Sequence, residues 1–442
     1  VYAFDLETGC VRWQFAARAE VRTGITLGKR GPEGIPTAYF GDIIANLYAL
    51  DATTGELVWQ TSPDEHHSAT LTGTPAFANG NLYVPVSSLE VVTAANPEYA
   101  CCTFRGHVMA VNGDDGAVLW DSYAIPDAPI STENTKAGTK IFGPSGAPVW
   151  TSPTIDAERN LLIFGTGENY SSPADKNSDA VIAVRLDTGE RIWSRQTFPD
   201  DAWNVACMMV DNPNCPEEDG PDYDQASSPL LVDIDADTTL VVAGQKDGRV
   251  FALDWETGQN KLWEVKLGRG SIQGGVHFGM AASGSTVFVP INDMNDTRNG
   301  EWLDPATARP GLSAVDANTG NVLWSRVQEN VCGEGRPFCD PGISAAITAT
   351  DGAVIAGHLD GIIRIYDSQS GDIIWSYNTT TPVTGTNGVT AKGGGMSGSG
   401  PAIAAGHMVI NSGYGLYNHE AGNALLVFAP RSEGAMSEGQ PD

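Results

Sequence analysis

Short runs of alternating apolar and polar residues fill the chain, among them "NLYAL", "GNLYVPVSS", "NLLIFGTG", "TLVVAGQ", "STVFVPIND" and "AVIAGHLDG". Residues two apart share one face of a strand, so each run reads as a half-buried β-strand. Gly, Pro, Asn and Asp punctuate the runs, as turns require. No segment sustains the 3.6-residue period of an amphipathic helix. The pattern predicts an all-β protein of many short strands.

The strands recur in a fixed context. "AFDLETGCVRW" ends at Trp13, "ALDATTGELVW" at Trp59, "AVNGDDGAVLW" at Trp120 and "AVRLDTGERIW" at Trp193. "ALDWETGQNKLW" ends at Trp263, "AVDANTGNVLW" at Trp324 and "IYDSQSGDIIW" at Trp375. Seven copies at intervals of 46–73 residues mean a solenoid, propeller or array. In each copy a strand enters an Asp-x-x-Thr-Gly turn and a second strand ends in Trp. Gly supplies positive φ, Asp and Thr side chains satisfy turn amides, and the flat Trp suits wedging between sheets. About four strands per unit, repeated radially, make a β-propeller blade. An eighth set, "GHMVINSGYG" and "NALLVFAP", follows without its own Trp. The expectation is a single eight-bladed propeller over 1–442, its closing blade shared with residues preceding Val1. A chain opening on "VYAFDLETG" starts inside an element, as a processed protein or a fragment. The uneven spacing places long inserts near 85–107, 123–150, 196–228 and 327–343, and loops on a rigid scaffold are where function concentrates.

Composition narrows the partners. The formal net charge of −29, from 54 acidic and 25 basic residues, repels nucleic-acid phosphates, and no basic stripe offsets it. No run of 18 apolar residues spans a membrane. Of seven cysteines, Cys207 and Cys215 flank one short loop, Cys332 and Cys339 another, and Cys101 adjoins Cys102. Cys10 is left over, either free or paired upstream of Val1. No CxxC or nearby His supports a zinc site. Local pairs point to an oxidising compartment, periplasmic or secreted. Neighbouring Cα atoms lie about 3.8 Å apart, below the roughly 4.4–6.8 Å an ordinary disulfide prefers, so a Cys101–Cys102 bridge is a strained ring.

The Ala-x-Asp-x-x-Thr-Gly-x-x-x-Trp repeat resembles the tryptophan-docked propeller of quinoprotein alcohol dehydrogenases, over essentially the whole chain. That family uses pyrroloquinoline quinone (PQQ) with a metal ion, usually calcium. The resemblance implies that Trp150, 18 residues before Glu168 in "VWTSPTIDAERNLLIFGTGEN", is the plate under the quinone. Glu168 or adjacent Asn169 would offer oxygen to the metal, and calcium favours such hard ligands. By the same resemblance Glu90 is a second metal ligand, and Thr72 and Ser87 bond the quinone carboxylates. Arg22 is a cation against the cofactor, Lys246 reaches the quinone oxygens and Asn292 is a further donor. Neither Arg22 nor Lys246 has an obvious carboxylate partner in sequence.

The catalytic base departs from the family's pattern. The family carries Asp directly after Trp, but "FPDDAWNVAC" reads Trp203–Asn204, and Asn cannot take an alcohol proton. Either Asp201 serves instead, which is the favoured reading, or Asn204 is a metal or quinone ligand, or the protein is inactive. Cys101–Cys102 would pack against the quinone opposite Trp150, or staple a loop unrelated to it. "CCTFRGHVMAV", "GPDYDQASSP", "GGVHFGMA" and "GHLDGIIRIYD" are similar to the polyvinyl alcohol dehydrogenase branch. That branch oxidises secondary hydroxyls of a neutral polymer and passes electrons to a cytochrome c. Without a CxxCH haem motif, the acceptor would be a separate chain or domain. The competing expectation is a non-catalytic propeller that acts as an envelope scaffold. A WD-repeat protein is disfavoured, because its Gly-His and Trp-Asp signatures do not recur.

Overall fold

In the computed structural model, described for residues 1–134, 138–258, 261–294, 297–298, 301–302 and 304–430, the alternating runs pair as successive antiparallel sheets. Residues 69–123 form a five-stranded sheet, while 26–61, 154–196, 230–266, 281–327 and 348–378 each form a four-stranded one. Residues 402–428 form three strands. Alternation does what the pattern predicts. Tyr39, Leu47 and Ala49 enter one core cluster, while Phe40, Tyr48 and Leu50, on the other face of the same strands, enter the next.

The described residues form seven such sheets, which corrects the expectation of eight blades. Tyr2–Phe4 and Val11–Gln14, the strands of the first motif, pair only with each other. A blade of this repeat has two more strands ahead of its Asp-x-x-Thr-Gly turn, and no other described strand pairs with this ribbon. The eighth set, "GHMVINSGYG" and "NALLVFAP", does form a sheet, and it is the first motif that stops at a two-stranded ribbon. The two ends of the chain still meet, since Tyr414 Oη donates to Glu20 Oε1 at 3.1 Å.

Each docking Trp lies across the turn of the following motif. A Cβ on Gly55 would come within 2.6 Å of the Trp13 ring, and Gly55 has φ +76°, so two separate constraints demand glycine there. Trp13 Nε1 then donates to Ala52 O at 3.0 Å. Trp59 repeats this with Gly113 O (3.0 Å), Trp193 with Trp255 O (2.9 Å) and Trp324 with Ser368 O (3.0 Å). Trp375, after which no motif follows, packs edge-on against Phe428, with centroids 5.4 Å apart.

The three local disulfides form as the spacing predicts, and Cys10 is free and exposed. Among the described residues no helix is long and apolar enough to cross a membrane.

Candidate active site

Segments from several sheets converge on a cavity of about 650 Å³. Arg22, Thr72, Ser87, Trp150, Glu168 and Lys246, chosen from sequence across separate motifs, all line it. Asp222 and Asp224 join them. One carboxylate oxygen from each of Glu168, Asp222 and Asp224 lies within 4.8 Å of the others, and all three residues are buried. Lys246 Nζ sits 2.8 Å from Asp222 Oδ1 and 2.8 Å from Asp224 Oδ2, and 5.6 Å from the centre of the Trp150 ring. Asp224 also accepts from Trp150 Nε1 (3.1 Å) and from the Glu168 amide (3.0 Å).

Three buried carboxylates face one ammonium, which leaves surplus negative charge in a low-dielectric site. Burial pushes the Glu168 carboxyl well above its usual range, and the charges of Asp224 and Asp222 add to the shift. Burial raises Asp222 likewise; Lys246 opposes the rise and Asp224 reinforces it. Burial would raise Asp224 too, but Lys246 and the hydrogen bonds from Glu168 and Lys246 outweigh it and hold Asp224 low. Burial would lower Lys246, yet Asp222, Asp224 and Glu168 keep it firmly charged. Beside them His277 is driven well below its usual value by burial and by Lys246, so it is a neutral ring, placed 2.8 Å from Ser344 Oγ through Nδ1. Its ring meets Trp150 edge-on at 5.8 Å.

The residues present fit a flat, anionic, oxygen-rich guest together with a hard cation. The carboxylate triad is a hard oxygen donor set. Thr70 Oγ1, Thr151 Oγ1 and Gln273 Oε1, all from residues lining the cavity, are buried without a hydrogen-bond partner. Buried polar atoms in that state usually await a ligand or water.

Seven sequence-chosen residues are not among those that line the cavity, and each is held by neighbours of its own. Glu90 turns from the cavity that Leu89 and Val91 line; its carboxylate accepts from Thr103 N (2.9 Å), Phe104 N (2.8 Å) and Tyr99 Oη (2.7 Å). Asn169 donates to Ser145 O (2.9 Å) and accepts from Asp175 N (2.6 Å). Asn204 caps the turn Val205–Met208 by accepting from Ala206 N, and donates to Tyr170 O and Asn214 O. Asp201 is buried, raised to about 6 by burial, and accepts from Tyr223 N (2.8 Å) and Asp222 N (3.3 Å). It supports the loop that carries Asp222 and does not face the cavity. Asn292 stands one layer back, donating to Gln273 O at 2.7 Å. Cys101 and Cys102 sit in the core with Ala94, Phe104 and Tyr170, so the disulfide backs a wall of the cavity and does not line it. Arg22 does have a partner, since its guanidinium holds Glu20 at 3.0 Å and 3.3 Å. Asp222 and Asp224 likewise partner Lys246.

Asp222 and Asp224 escaped the sequence reading although "GPDYDQASSP" holds a usable signal. Two Asp residues spaced by one are a candidate carboxylate pair, and here the left-handed turn at Asp222 (φ 58°) and the Lys246 ammonium between them bring them together. Trp203 lines the cavity as well, so the Trp of "DAWN" reaches the site while the Asn after it turns away.

A propeller whose cavity gathers a carboxylate triad, a lysine and a tryptophan is the frame of a cofactor-dependent oxidoreductase. A family model for the β-propeller domain of glucose/ethanol/alcohol dehydrogenases matches residues 1–269, and one for the outer membrane protein assembly factor BamB matches residues 179–417. The chain is 35% identical over 442 residues to a polyvinylalcohol dehydrogenase of Pseudomonas sp, covering 97% of this chain and 67% of that one. It is 35% identical over 434 residues to another from Sphingopyxis sp. (strain 113P3), covering 96% and 65%. It therefore spans about two thirds of the length of these relatives. A europium-containing methanol dehydrogenase shares the fold with a TM-score of 0.65 at 17% identity, covering 95% of this chain and 79% of that one. The chain belongs to the PQQ-dependent alcohol dehydrogenase β-propeller family.

Proposed function

We propose that this propeller oxidises secondary alcohol groups, those of polyvinyl alcohol among them, with PQQ and one calcium ion. The observation that carries the reading is the convergence of Glu168, Asp222, Asp224 and Lys246 beside Trp150 in one cavity. Bound there, the quinone supplies the hydride acceptor and the cation supplies electrophilic polarisation.

The chain's own residues divide the remaining work. Asp224 receives hydrogen bonds from Trp150, Glu168 and Lys246, which make it a poor base and, with Glu168, a good cation ligand. Asp222 accepts from Lys246 at 2.8 Å but lacks the Trp150 and Glu168 donors that hold Asp224, so it is the freer carboxylate and takes the substrate hydroxyl proton. Lys246 favours the ionised form of Asp222 that accepts this proton. Arg22, Thr70, Thr72, Ser87 and Thr151 offer donors to the cofactor's carboxylates, and Trp150 offers a flat face. Electrons then leave to a separate carrier such as a cytochrome c, in a periplasmic or secreted setting.

Calcium is the expected cation because it accepts six to eight oxygens in flexible geometry. Carboxylate oxygens also suit a trivalent ion, so a lanthanide is the sharpest alternative. The scaffold reading, favoured by the BamB match, gives the three converging carboxylates and Lys246 no role at the cavity.

The test is reconstitution. Purified protein receives PQQ with Ca²⁺ or La³⁺, and dye reduction is followed with 2-butanol. Turnover with either cation supports the reading. Absence of turnover and of any quinone absorbance change with both cations overturns it in favour of the scaffold.

A further inference from the structure

We propose that the mouth of this cavity carries a subsite for the hydrocarbon backbone of a long-chain polyol, formed by Leu89, Val92 and Met208 and continued outward by Met209 and Val210. It rests on the alcohol-oxidising reading above and names which substrates that site prefers.

Leu89, Val92 and Met208 line the cavity yet stay 39%, 52% and 60% exposed, and Met209 and Val210 are 49% and 93% exposed. Scattered apolar residues are ordinary on a surface, but a contiguous patch at a cavity mouth marks a place where something binds. This patch is held firmly. The Cys207–Cys215 bridge closes the loop that carries Met208, Met209 and Val210. Asn214 Nδ2 ties the loop to Ala94 O, Asn96 O and Tyr99 O at 2.9–3.1 Å, and Asn212 Nδ2 ties it to Ala95 O at 2.8 Å. The helix Glu90–Thr93, which bears Val92, is fixed from behind by the Glu90 carboxylate on the Thr103 and Phe104 amides. Behind that lies the buried Cys101–Cys102 pair. Two disulfide-bearing inserts thus fix the backbone that carries five apolar side chains, so less ordering is left to do on binding.

The occupant follows from the chemistry. The lip runs without a break into the cavity that holds the carboxylate triad, so whatever lies on it continues to the reacting hydroxyl. Tyr414 and Tyr417 line the same cavity, offering rings with polar tips. An extended chain of alternating methylene and hydroxyl-bearing carbons meets both kinds of surface, and being neutral it is indifferent to the −29 charge of the protein. A short alcohol reaches the triad without touching Met209 or Val210.

The experiment uses the PQQ- and cation-loaded enzyme and the double variant Met208→Ser/Val210→Ser, both positions being exposed enough to spare the fold. Wild type and variant are compared with polyvinyl alcohol and with 2-butanol, and equilibrium binding of the polymer is measured without turnover. The expected result is a rise of about tenfold in the polymer-to-butanol ratio of KM values, with polymer binding weakened equally, as the loss of apolar contact implies. Unchanged polymer KM and binding overturn the proposal while leaving alcohol oxidation intact. So does a variant whose defect lies in the KM for a protein electron acceptor, which would make the lip the acceptor's docking surface. A protein that oxidises no alcohol yet retains polymer through the lip supports this subsite and sinks the oxidation reading alone.

Discussion

Two clusters in this propeller set carboxylates around a buried basic side chain. In one, His107 lies between two aspartates, with Nε2 2.8 Å from Asp64 Oδ2 and Nδ1 2.6 Å from Asp121 Oδ1. In the other, Lys246 lies between Asp222 and Asp224 with Glu168 alongside. The first cluster is complete. Each ring nitrogen has its own carboxylate, Tyr123 stacks on the imidazole at 4.7 Å, and Arg105 covers Tyr123 at 3.9 Å. None of these residues lines the cavity. The second cluster has one carboxylate more than the first and opens onto the cavity beside hydroxyls without hydrogen-bond partners. Burial of charge does not by itself mark a functional site. Charge that faces a cavity does.

The largest expected effect separates the two directly. Asp222→Asn removes the proposed base and should lower kcat by about 10²–10⁴ while the cofactor still binds. Asp121→Asn, the matching change in the closed cluster, should leave kcat within about twofold, since it touches nothing at the cavity. Steady-state rates on the reconstituted enzyme decide it, and equal damage from both would erase the distinction.

Next comes stability. Burial would lower the His107 pKa, but the hydrogen bonds and charges of Asp121 and Asp64 outweigh it and raise the value above the ordinary 6.5. A raised folded pKa means the folded state binds the proton more tightly. The contribution is therefore full below about 6.5 and is lost as pH rises through the folded value. Urea midpoints from pH 6 to 9 should fall in the wild type. His107→Gln should cost about 1–3 kcal/mol at pH 6, from losing charge-assisted hydrogen bonds to Asp64 and Asp121, and should lose that slope. A variant that keeps the slope assigns the titration to another group.

The smallest effect concerns Asn204. Asn204→Ala removes the cap on Val205–Met208 and should cost about 1 kcal/mol in thermal unfolding with cation binding retained. Loss of cation binding would restore Asn204 as a ligand.

What could be read from the sequence follows from what is local. The docking motif is legible because each Trp lies on the glycine of the next turn, so the same eleven or so residues must carry both partners in every repeat. The first motif shows the limit of that logic. Its turn and Trp13 are intact, yet a motif does not guarantee the neighbouring strands that make a sheet. Within the site, Trp150 and Glu168 were reachable through a fixed spacing along one chain segment. Side-chain direction was not. Glu90 and Leu89 are neighbours that face opposite ways, and Asn204 points into a loop that only the Cys207–Cys215 closure creates. Asp222 and Asp224 come from the far end of that insert, folded back by hydrogen bonds to Asp201. No pattern within "GPDYDQASSP" announces where the insert returns.

The central claim is that the open cluster exists to hold a cation beside a quinone. Equilibrium titration of Ca²⁺ and PQQ into wild type and Glu168→Gln, with thermal unfolding as a control on the fold, tests it most directly. The account predicts one cation and one PQQ per wild-type chain. In the variant, cation affinity should fall by an order of magnitude or more, with about 1.4 kcal/mol per factor of ten. PQQ taken up equally by both proteins without any cation would contradict it.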